Sequence, residues 1–302
     1  MTTQPSGPDA ELRMVAVHAH PDDESSKGAG SMARYAREGV QVTVLTCTGG
    51  ERGDILNPRL RDDPSLLQDL PAVRRREMAA AQEILGVDHE WLGFVDSGLP
   101  EGDPLPPLPA GSFATLPVQE AARPLVEALR RLRPQVMTTY DENGGYPHPD
   151  HIQTHRVSVA AFDLAADPDF APELGEPWAV SKLYYINAFH RQRFASVARH
   201  LRQEGAVHEE LEQMLTRFDE SRDRLLTTRV DVKDYLEVRD DALRAHATQV
   251  DPEGPFFRIP HDVERAAWGT DDYELRRSRV GVTLPERDLF AGIRAVDGED
   301  PA

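Results

Sequence analysis

Short apolar runs alternate with amphipathic stretches through the first two thirds of the chain. Val-containing apolar runs bounded by turn residues predict buried strands, and stretches of helical periodicity that stop at Gly predict helices. The predicted strands cover residues 12–19, 40–47, 90–94, 135–140 and 182–189, and the predicted helices cover 23–38, 71–85, 118–132 and 151–164. This rhythm predicts an α/β fold, a Rossmann-like, mostly parallel sheet with helices on both faces.

The last third of the chain has a different pattern. Residues 195–218, 232–249 and 263–276 have helical periodicity and are separated by links that contain Pro and Gly. We therefore predict a C-terminal helical cap or subdomain over 191–294, an α/β core over 12–190, and flexible polar tails over 1–11 and 295–302.

Composition narrows the classes of function. The chain has 302 residues, enough for a sizeable core, and 34 basic against 52 acidic residues give a net charge of −18. Nucleic acids and anionic membrane surfaces attract basic proteins, so neither is an expected partner. The polar N-terminus lacks the apolar region of a secretory signal, which favours a cytoplasmic location. Cys47, the one cysteine, lies in a predicted strand and is interpreted as an inert core thiol.

Two similar segments carry the candidate chemistry. His20-Pro21-Asp22-Asp23-Glu24 follows the first predicted strand, and His148-Pro149-Asp150-His151 follows the fourth. Pro suits the first position of a helix, so each leading His lies near an N-cap and the residue three positions later faces the same side. Because ligands bind beyond the carboxyl ends of parallel strands, the sheet can bring both segments together.

Two imidazoles and one carboxylate without cysteine suit Zn²⁺ in an open catalytic site. Asp22 would then be free to accept a proton from water, and His148 to stabilise an oxyanion or protonate a leaving amine. A single His-Pro-Asp segment often only begins a helix, so the inference depends on the presence of two. His18, on the same strand face as His20, is either a competing ligand or a histidine that hydrogen-bonds to the site from behind.

The segments 17–25, 46–54, 74–77 and 140–155 read VHAHPDDES, TCTGGERGD, RRRE and YDENGGYPHPDHIQTH, and they resemble the LmbE/PIG-L family of zinc-dependent deacetylases. The resemblance implies one Zn²⁺ per chain, held by His20, Asp23 and His151, and leaves open whether Fe²⁺ fills the site in the cell. It implies that Asp22 is the general base, that His148 and Tyr146 act at the carbonyl oxygen, and that Arg74 and Asp96 contact the sugar.

Within the family, Lys27 after the first motif, Glu142-Asn143 before the second, and the sequence at 183–193 resemble the amidases of mycothiol S-conjugates. The resemblance implies cleavage of a small thiol–sugar conjugate to a mercapturic acid and glucosaminyl-inositol, with Lys27 as a substrate contact. The alternative is the N-acetylglucosaminyl-inositol deacetylase of mycothiol biosynthesis. A non-catalytic metal- or sugar-binding module would not need Asp22 and His148, and a metal-dependent phosphatase would use more carboxylates. Acyl preference and oligomeric state stay open.

Overall fold

The structure is a computed structural model that describes residues 11–206, 208–218 and 225–294. The predicted tails therefore lie outside the described residues, apart from Glu11. Within the described ranges, none of the helices combines the length and the apolar character needed to cross a bilayer.

Seven strands form one mixed sheet in the order β3-β2-β1-β4-β5-β7-β6. The five strands from β3 to β5 in that order are parallel to one another, and β7 and β6 continue the sheet antiparallel. Their bounds are β1 Arg13–His18, β2 Gln41–Thr48, β3 Asp88–Phe94, β4 Val136–Thr139, β5 Lys182–Ile186, β6 Thr228–Asp231 and β7 Thr270–Ser278. The predicted fold class, a mostly parallel sheet with helices, is confirmed.

The helices pack on both faces of the sheet. Alternate residues of β1 point to opposite faces, so Met14 contributes to one buried apolar cluster with α2 and α4, and Val15 contributes to a second with α5 and α6. The helices are α1 Asp23–Ser26, α2 Ala29–Arg37, α3 Pro64–Leu67, α4 Leu70–Leu85, α5 Val118–Leu132, α6 Pro149–Leu164, α7 Arg191–Gln203, α8 Glu209–Leu215, α9 Leu236–Ala245 and α10 His261–Trp268.

Three predicted helices were wrong in part. The predicted helix over 195–218 is two helices, since α7 ends at Gln203 and α8 begins at Glu209. The predicted helix over 23–38 is two helices, because Gly28 at φ 84° turns the chain between α1 and α2. The predicted helix over 263–276 ends at Trp268, and strand β7 follows it. Both β6 and β7 were missed: β6 is four residues long, and β7 buries Asp271 and Asp272 where a buried strand usually has apolar residues. The division of the chain at residue 190 stays a prediction.

Candidate active site

The loops after the parallel strands form a groove of about 520 Å³ at the carboxyl edge of the sheet. Because adjacent parallel strands end at the same edge, the segments after β1 and β4 lie side by side at its floor. Residues from the loops after β1 to β4 and from α4 line the groove, among them His20, Asp22, Arg52, Arg74, Asp96, Tyr146 and His148. The two motifs that the sequence placed in one site are therefore adjacent in the structure.

His20, Asp23 and His151 form a compact cluster beneath this groove. One donor atom from each residue lies within 4.8 Å of the others. Oδ2 of Asp23 is 3.3 Å from Nε2 of His151 and 3.6 Å from Nδ1 of His20. The neighbouring His151 and Lys27 hold the pKa of Asp23 well below its usual range, although burial alone would raise it. The cluster therefore offers an ionised carboxylate between two imidazoles.

The tautomer of His151 makes it suitable as a metal ligand. Its Nδ1 lies 2.9 Å from the carbonyl oxygen of Gly144, which can only accept, so Nδ1 carries the proton. Nε2 then has a free lone pair, and this fully buried atom has no hydrogen-bond partner among the described residues. A metal-ligating His commonly donates its other N–H to a backbone carbonyl in this way. The donor set thus fits a divalent ion with nitrogen and oxygen ligands.

A second group of donors shares His20. It consists of His20, Asp96, His148 and Asp150, again with one atom from each within 4.8 Å of the others. Several of these atoms already have partners: the backbone N–H of Asp150 donates to Nδ1 of His148, and Asp150 itself accepts from the N–H of Ser97. Hydrogen bonds to the carboxylates of Asp150, Asp23 and Asp96 raise the pKa of His20 well above its usual value, although burial alone would lower it.

Asp22 lies between the cluster and the groove. Its backbone has φ 107°, a left-handed conformation that is unusual for a residue other than Gly. Its N–H donates to Oε2 of Glu24 at 3.0 Å, which holds this turn in place. Burial, reinforced by the adjacent charge of Asp23, raises the pKa of Asp22 to about 7. Such a carboxyl group can take and return a proton near neutral pH.

His148 and Tyr146 form the opposite wall of the groove. Burial and the neighbouring His20 and His151 lower the pKa of His148 to about 4, so the ring is neutral at pH 7. Because its Nδ1 accepts a hydrogen bond from Asp150, the proton of the neutral ring is on Nε2. Tyr146 is 44% exposed, and its ring centroid lies 4.4 Å from that of His151. Both side chains therefore offer donors near the candidate metal ligands.

Lys27 lies behind Asp23 rather than at the groove. Its side chain is buried, and Nζ lies 2.6 Å from Oδ1 of Asp23 and 3.0 Å from Oγ of Ser26. The sequence predicted a substrate contact for Lys27, and the structure shows in addition a buried ion pair with Asp23. The ammonium also lies 5.8 Å from the ring centroid of Phe189, which follows β5.

Arg74 and Asp96, the predicted sugar contacts, lie together at the side of the groove formed after β2 and β3. Nη2 of Arg74 donates to the carbonyl oxygens of Gly53 and Asp54. The guanidinium passes so close to Gly50, at φ 66°, that a Cβ there would meet Nη1 at 2.8 Å. Glycine at positions 50 and 53 therefore leaves room for the guanidinium of Arg74 beside this loop.

Tyr140 was not predicted as part of the site, and His18 was expected either as a competing metal ligand or as a hydrogen-bonding residue behind the site. The hydroxyl of Tyr140 donates to Oδ2 of Asp23 at 2.8 Å and accepts from the N–H of Ala19. Nδ1 of His18 lies 3.2 Å from the same hydroxyl, and burial lowers the pKa of His18 to about 4. His18 thus reaches Asp23 through Tyr140. Two signals were available for Tyr140: it ends a predicted strand, and it begins the segment 140–155 that carries the family resemblance.

A second missed residue comes from the C-terminal third. His246, fully buried, places Nε2 2.7 Å from Oε1 of Glu24. Glu24 also accepts a hydrogen bond from Ser25 in addition to that from Asp22. No local pattern marks His246, since it lies 222 residues from Glu24 at the end of α9.

Comparisons with known proteins agree with this geometry. The family described as PIG-L, GlcNAc-PI de-N-acetylase, matches residues 15–162. A relative named mycothiol S-conjugate amidase, from Streptomyces coelicolor, is 55% identical over 288 residues, which cover 94% of this chain and 98% of the relative. A relative named 1D-myo-inositol 2-acetamido-2-deoxy-alpha-D-glucopyranoside deacetylase, from Streptomyces avermitilis, is 42% identical over 299 residues, with the same coverage.

The fold is also found among solved structures. N,N'-diacetylchitobiose deacetylase from Pyrococcus horikoshii superposes with a TM-score of 0.59 at 18% identity, over 87% of this chain and 83% of the other. At this identity the likeness supports the fold alone. The family match and the two nearly full-length relatives support the class of reaction. The chain therefore belongs to the PIG-L family, and it is a hydrolase of the amidase and deacetylase class that acts on linear amide bonds.

Proposed function

We propose that this enzyme is a zinc-dependent amidase that cleaves mycothiol S-conjugates to a mercapturic acid and glucosaminyl-inositol. The observation that carries the choice is the 55% identity with an amidase of this name, against 42% with the biosynthetic deacetylase, over nearly the whole chain in both cases. The second candidate is that deacetylase, because both reactions hydrolyse an amide on the same glucosamine nitrogen. The proposed substrate is thus a small thiol–sugar conjugate.

His20, Asp23 and His151 are the proposed ligands of one Zn²⁺. The free lone pair on buried Nε2 of His151 and the ionised carboxylate of Asp23 support this set over the alternative that contains His148. Zinc bound there would supply Lewis-acid chemistry, which makes water more acidic and polarises a carbonyl group. Three protein ligands leave a position open for this chemistry.

Asp22 is the proposed general base. With a pKa of about 7, its carboxylate can accept a proton from water as the water oxygen bonds to the amide carbon. The same proton can then pass to the amide nitrogen as the C–N bond breaks, which yields a carboxylic acid and an amine. The hydrogen bond from the backbone N–H of Asp22 to Glu24 supports the turn that carries this carboxyl group.

His148 and Tyr146 are proposed to act at the carbonyl oxygen. The neutral ring of His148 has its proton on Nε2, which can donate to the oxygen as negative charge develops there. Removal of one such donor typically costs about 10²–10³-fold in kcat. Tyr146 offers a hydroxyl group from the groove rim.

Arg74 and Asp96 are proposed to bind the sugar–inositol half of the substrate, and Lys27 the acyl half. Arg74 and Asp96 lie on the β2–β3 side of the cluster, whereas Lys27 lies behind Asp23, toward the segment after β5. The two halves of a conjugate would accordingly extend in opposite directions from the scissile amide.

Product analysis tests the proposal. The zinc-loaded enzyme, given an S-benzyl conjugate of mycothiol, should release N-acetyl-S-benzylcysteine and glucosaminyl-inositol in equal amounts by mass spectrometry. The Asp22→Asn enzyme at the same concentration is the matched control and should release neither. Release of no product from the conjugate, while N-acetylglucosaminyl-inositol is deacetylated, would favour the second candidate.

A further inference from the structure

An apolar cavity of about 250 Å³ lies beside the site, between the segment 25–28 and the helices of the C-terminal third. Phenyl rings and aliphatic side chains make up most of its wall, and they include Phe189, Phe194, Val197, Leu211, Met214 and Phe256. None of the residues that line this cavity lines the groove of Arg74 and Asp96. It is a separate space with a different chemical character.

Two arginines in the cavity wall are paired with carboxylates. Glu264 accepts hydrogen bonds from Nη2 of Arg193 at 3.0 Å and from Nη2 of Arg239 at 2.7 Å. Arg239 also pairs with Asp240, so the two arginines contact two largely buried carboxylates. The interior therefore suits an apolar group and offers little to a sugar, whose hydroxyls would lose their hydrogen bonds with water.

The position of the cavity follows from the order of the strands. The loops after β2 and β3 line the polar groove, and the candidate metal ligands come from the segments after β1 and β4. Phe189 and α7, which follow β5, line the cavity together with Asp271 at the start of the adjacent β7. Along the edge of the sheet, the candidate metal ligands thus lie between the polar groove and the apolar cavity.

Lys27 lies at the boundary between the cluster and the cavity. Its Nζ contacts Asp23 on one side and approaches the ring of Phe189, part of the cavity wall, on the other. Ser26, whose Oγ accepts a hydrogen bond from Lys27, also lines the cavity. Lys27 and Ser26 thus separate the candidate metal ligands from the cavity by a single layer of side chains.

We propose that this cavity binds the apolar S-substituent of a thiol conjugate, an aromatic or bulky aliphatic thioether, while the groove binds the sugar half. The inference rests on the proposed amidase function and adds the class of conjugate that the enzyme prefers. Sites that hold whole drug-sized ligands measure about 300–1,000 Å³, so the smaller cavity suits one substituent of a conjugate. Burial of each further methylene group should raise kcat/KM by roughly fourfold until the cavity is full.

The proposal is tested with conjugates whose S-substituents increase in size, assayed on the wild type and on a variant in which a larger side chain fills the cavity. Met214 is half-buried in the cavity wall, and Met214→Trp should fill the space; Ile84→Trp, on the exposed face of α4, is the matched control. Each enzyme is assayed on the S-methyl, S-benzyl and S-naphthylmethyl conjugates of mycothiol and on N-acetylglucosaminyl-inositol. For the wild type and the control, kcat/KM should rise from S-methyl to S-benzyl. In Met214→Trp it should fall about tenfold or more on the aromatic conjugates, with the acetyl substrate unaffected.

The outcomes separate the two proposals. Equal kcat/KM across the series in the wild type, or an equal loss on every substrate in a folded Met214→Trp enzyme, would overturn the cavity assignment. If Met214→Trp does not fold, Phe256→Ala at the half-exposed cavity rim should lower kcat/KM on aromatic conjugates alone.

If the wild type hydrolyses only the acetyl substrate, the amidase proposal fails. The cavity is then tested by inhibition: N-acetyl-S-benzylcysteine should inhibit deacetylation by the wild type more strongly than by Met214→Trp, and equal inhibition would overturn it.

Discussion

Glu24 and His246 form a fully buried pair, with Oε1 of one 2.7 Å from Nε2 of the other. The pair connects the first His-Pro-Asp motif to the end of α9, and the second carboxylate oxygen of Glu24 accepts a hydrogen bond from the N–H of Asp22. The C-terminal third of the chain thus supports the turn on which the proposed base stands.

The first prediction concerns this pair and pH. Burial alone would raise the pKa of Glu24, but the neighbouring His246 lowers it from 4.5 to about 2. Because the folded value is depressed, its contribution to the free energy of unfolding is present above pH 4.5 and is lost as pH falls toward 2. Glu24→Gln should lower the free energy of unfolding at pH 7 by about 3–5 kcal/mol and flatten its pH dependence below 4.5. Urea unfolding at several pH values measures both, and an unchanged acid slope would contradict the prediction.

The second prediction concerns the metal ligands. His151→Ala should lose most of the bound zinc, since it removes the free Nε2 beside Asp23. His148→Ala is the matched control, because it alters the neighbouring imidazole of the same motif; it should keep the metal and lose activity. Elemental analysis of the purified enzymes measures this. Retention of zinc in the first variant together with loss in the second would move the site to His20, Asp96, His148 and Asp150.

The third prediction concerns the proposed base. Asp22→Asn should keep the metal and lower kcat by about 10²–10⁴-fold, since the amide cannot accept the proton of water. Steady-state rates and metal content of the same preparation test both statements. Loss of the metal in this variant would exchange the roles of Asp22 and Asp23.

The fourth prediction uses two adjacent glycines. Gly144 and Gly145 have nearly equal φ values, 73° and 74°, so a side chain strains both backbones alike. A Cβ at Gly144 would lie 2.5 Å from Cβ of His151, whereas a Cβ at Gly145 meets nothing within 4 Å. Gly145→Ala should cost about 1–2 kcal/mol of stability and keep the metal, and Gly144→Ala should cost more and weaken zinc affinity. Equal zinc affinity in the two variants would show that Gly144 does not position His151.

The sequence predicted the elements whose pattern is local. Strands β1 to β5 are apolar runs between turns, and the two His-Pro-Asp segments mark the loops after β1 and β4. Strand β7 was missed because it buries Asp271 and Asp272 in place of apolar residues. The contact of His246 with Glu24 was missed because it depends on how α9 packs against α1, which no spacing along the chain encodes.

The ion pair of Lys27 is a second contact that the sequence did not predict. The resemblance implied a substrate contact for Lys27, and the structure shows that its ammonium is buried behind the cluster, where it pairs with Asp23. Pairing with a buried carboxylate is a property of the fold, and helical spacing alone does not predict it.

The ratio of kcat/KM on an S-benzyl conjugate of mycothiol to that on N-acetylglucosaminyl-inositol tests the central claim most directly. We expect the wild-type ratio to exceed one by about tenfold or more, because the apolar acyl half gains a buried surface that acetate lacks. Lys27→Ala should lower the rate on both substrates, since Asp23 loses its cation, and should also lower the ratio, since the acyl half loses a buried charged contact. A wild-type ratio of one or less would contradict the account and identify the biosynthetic deacetylase instead.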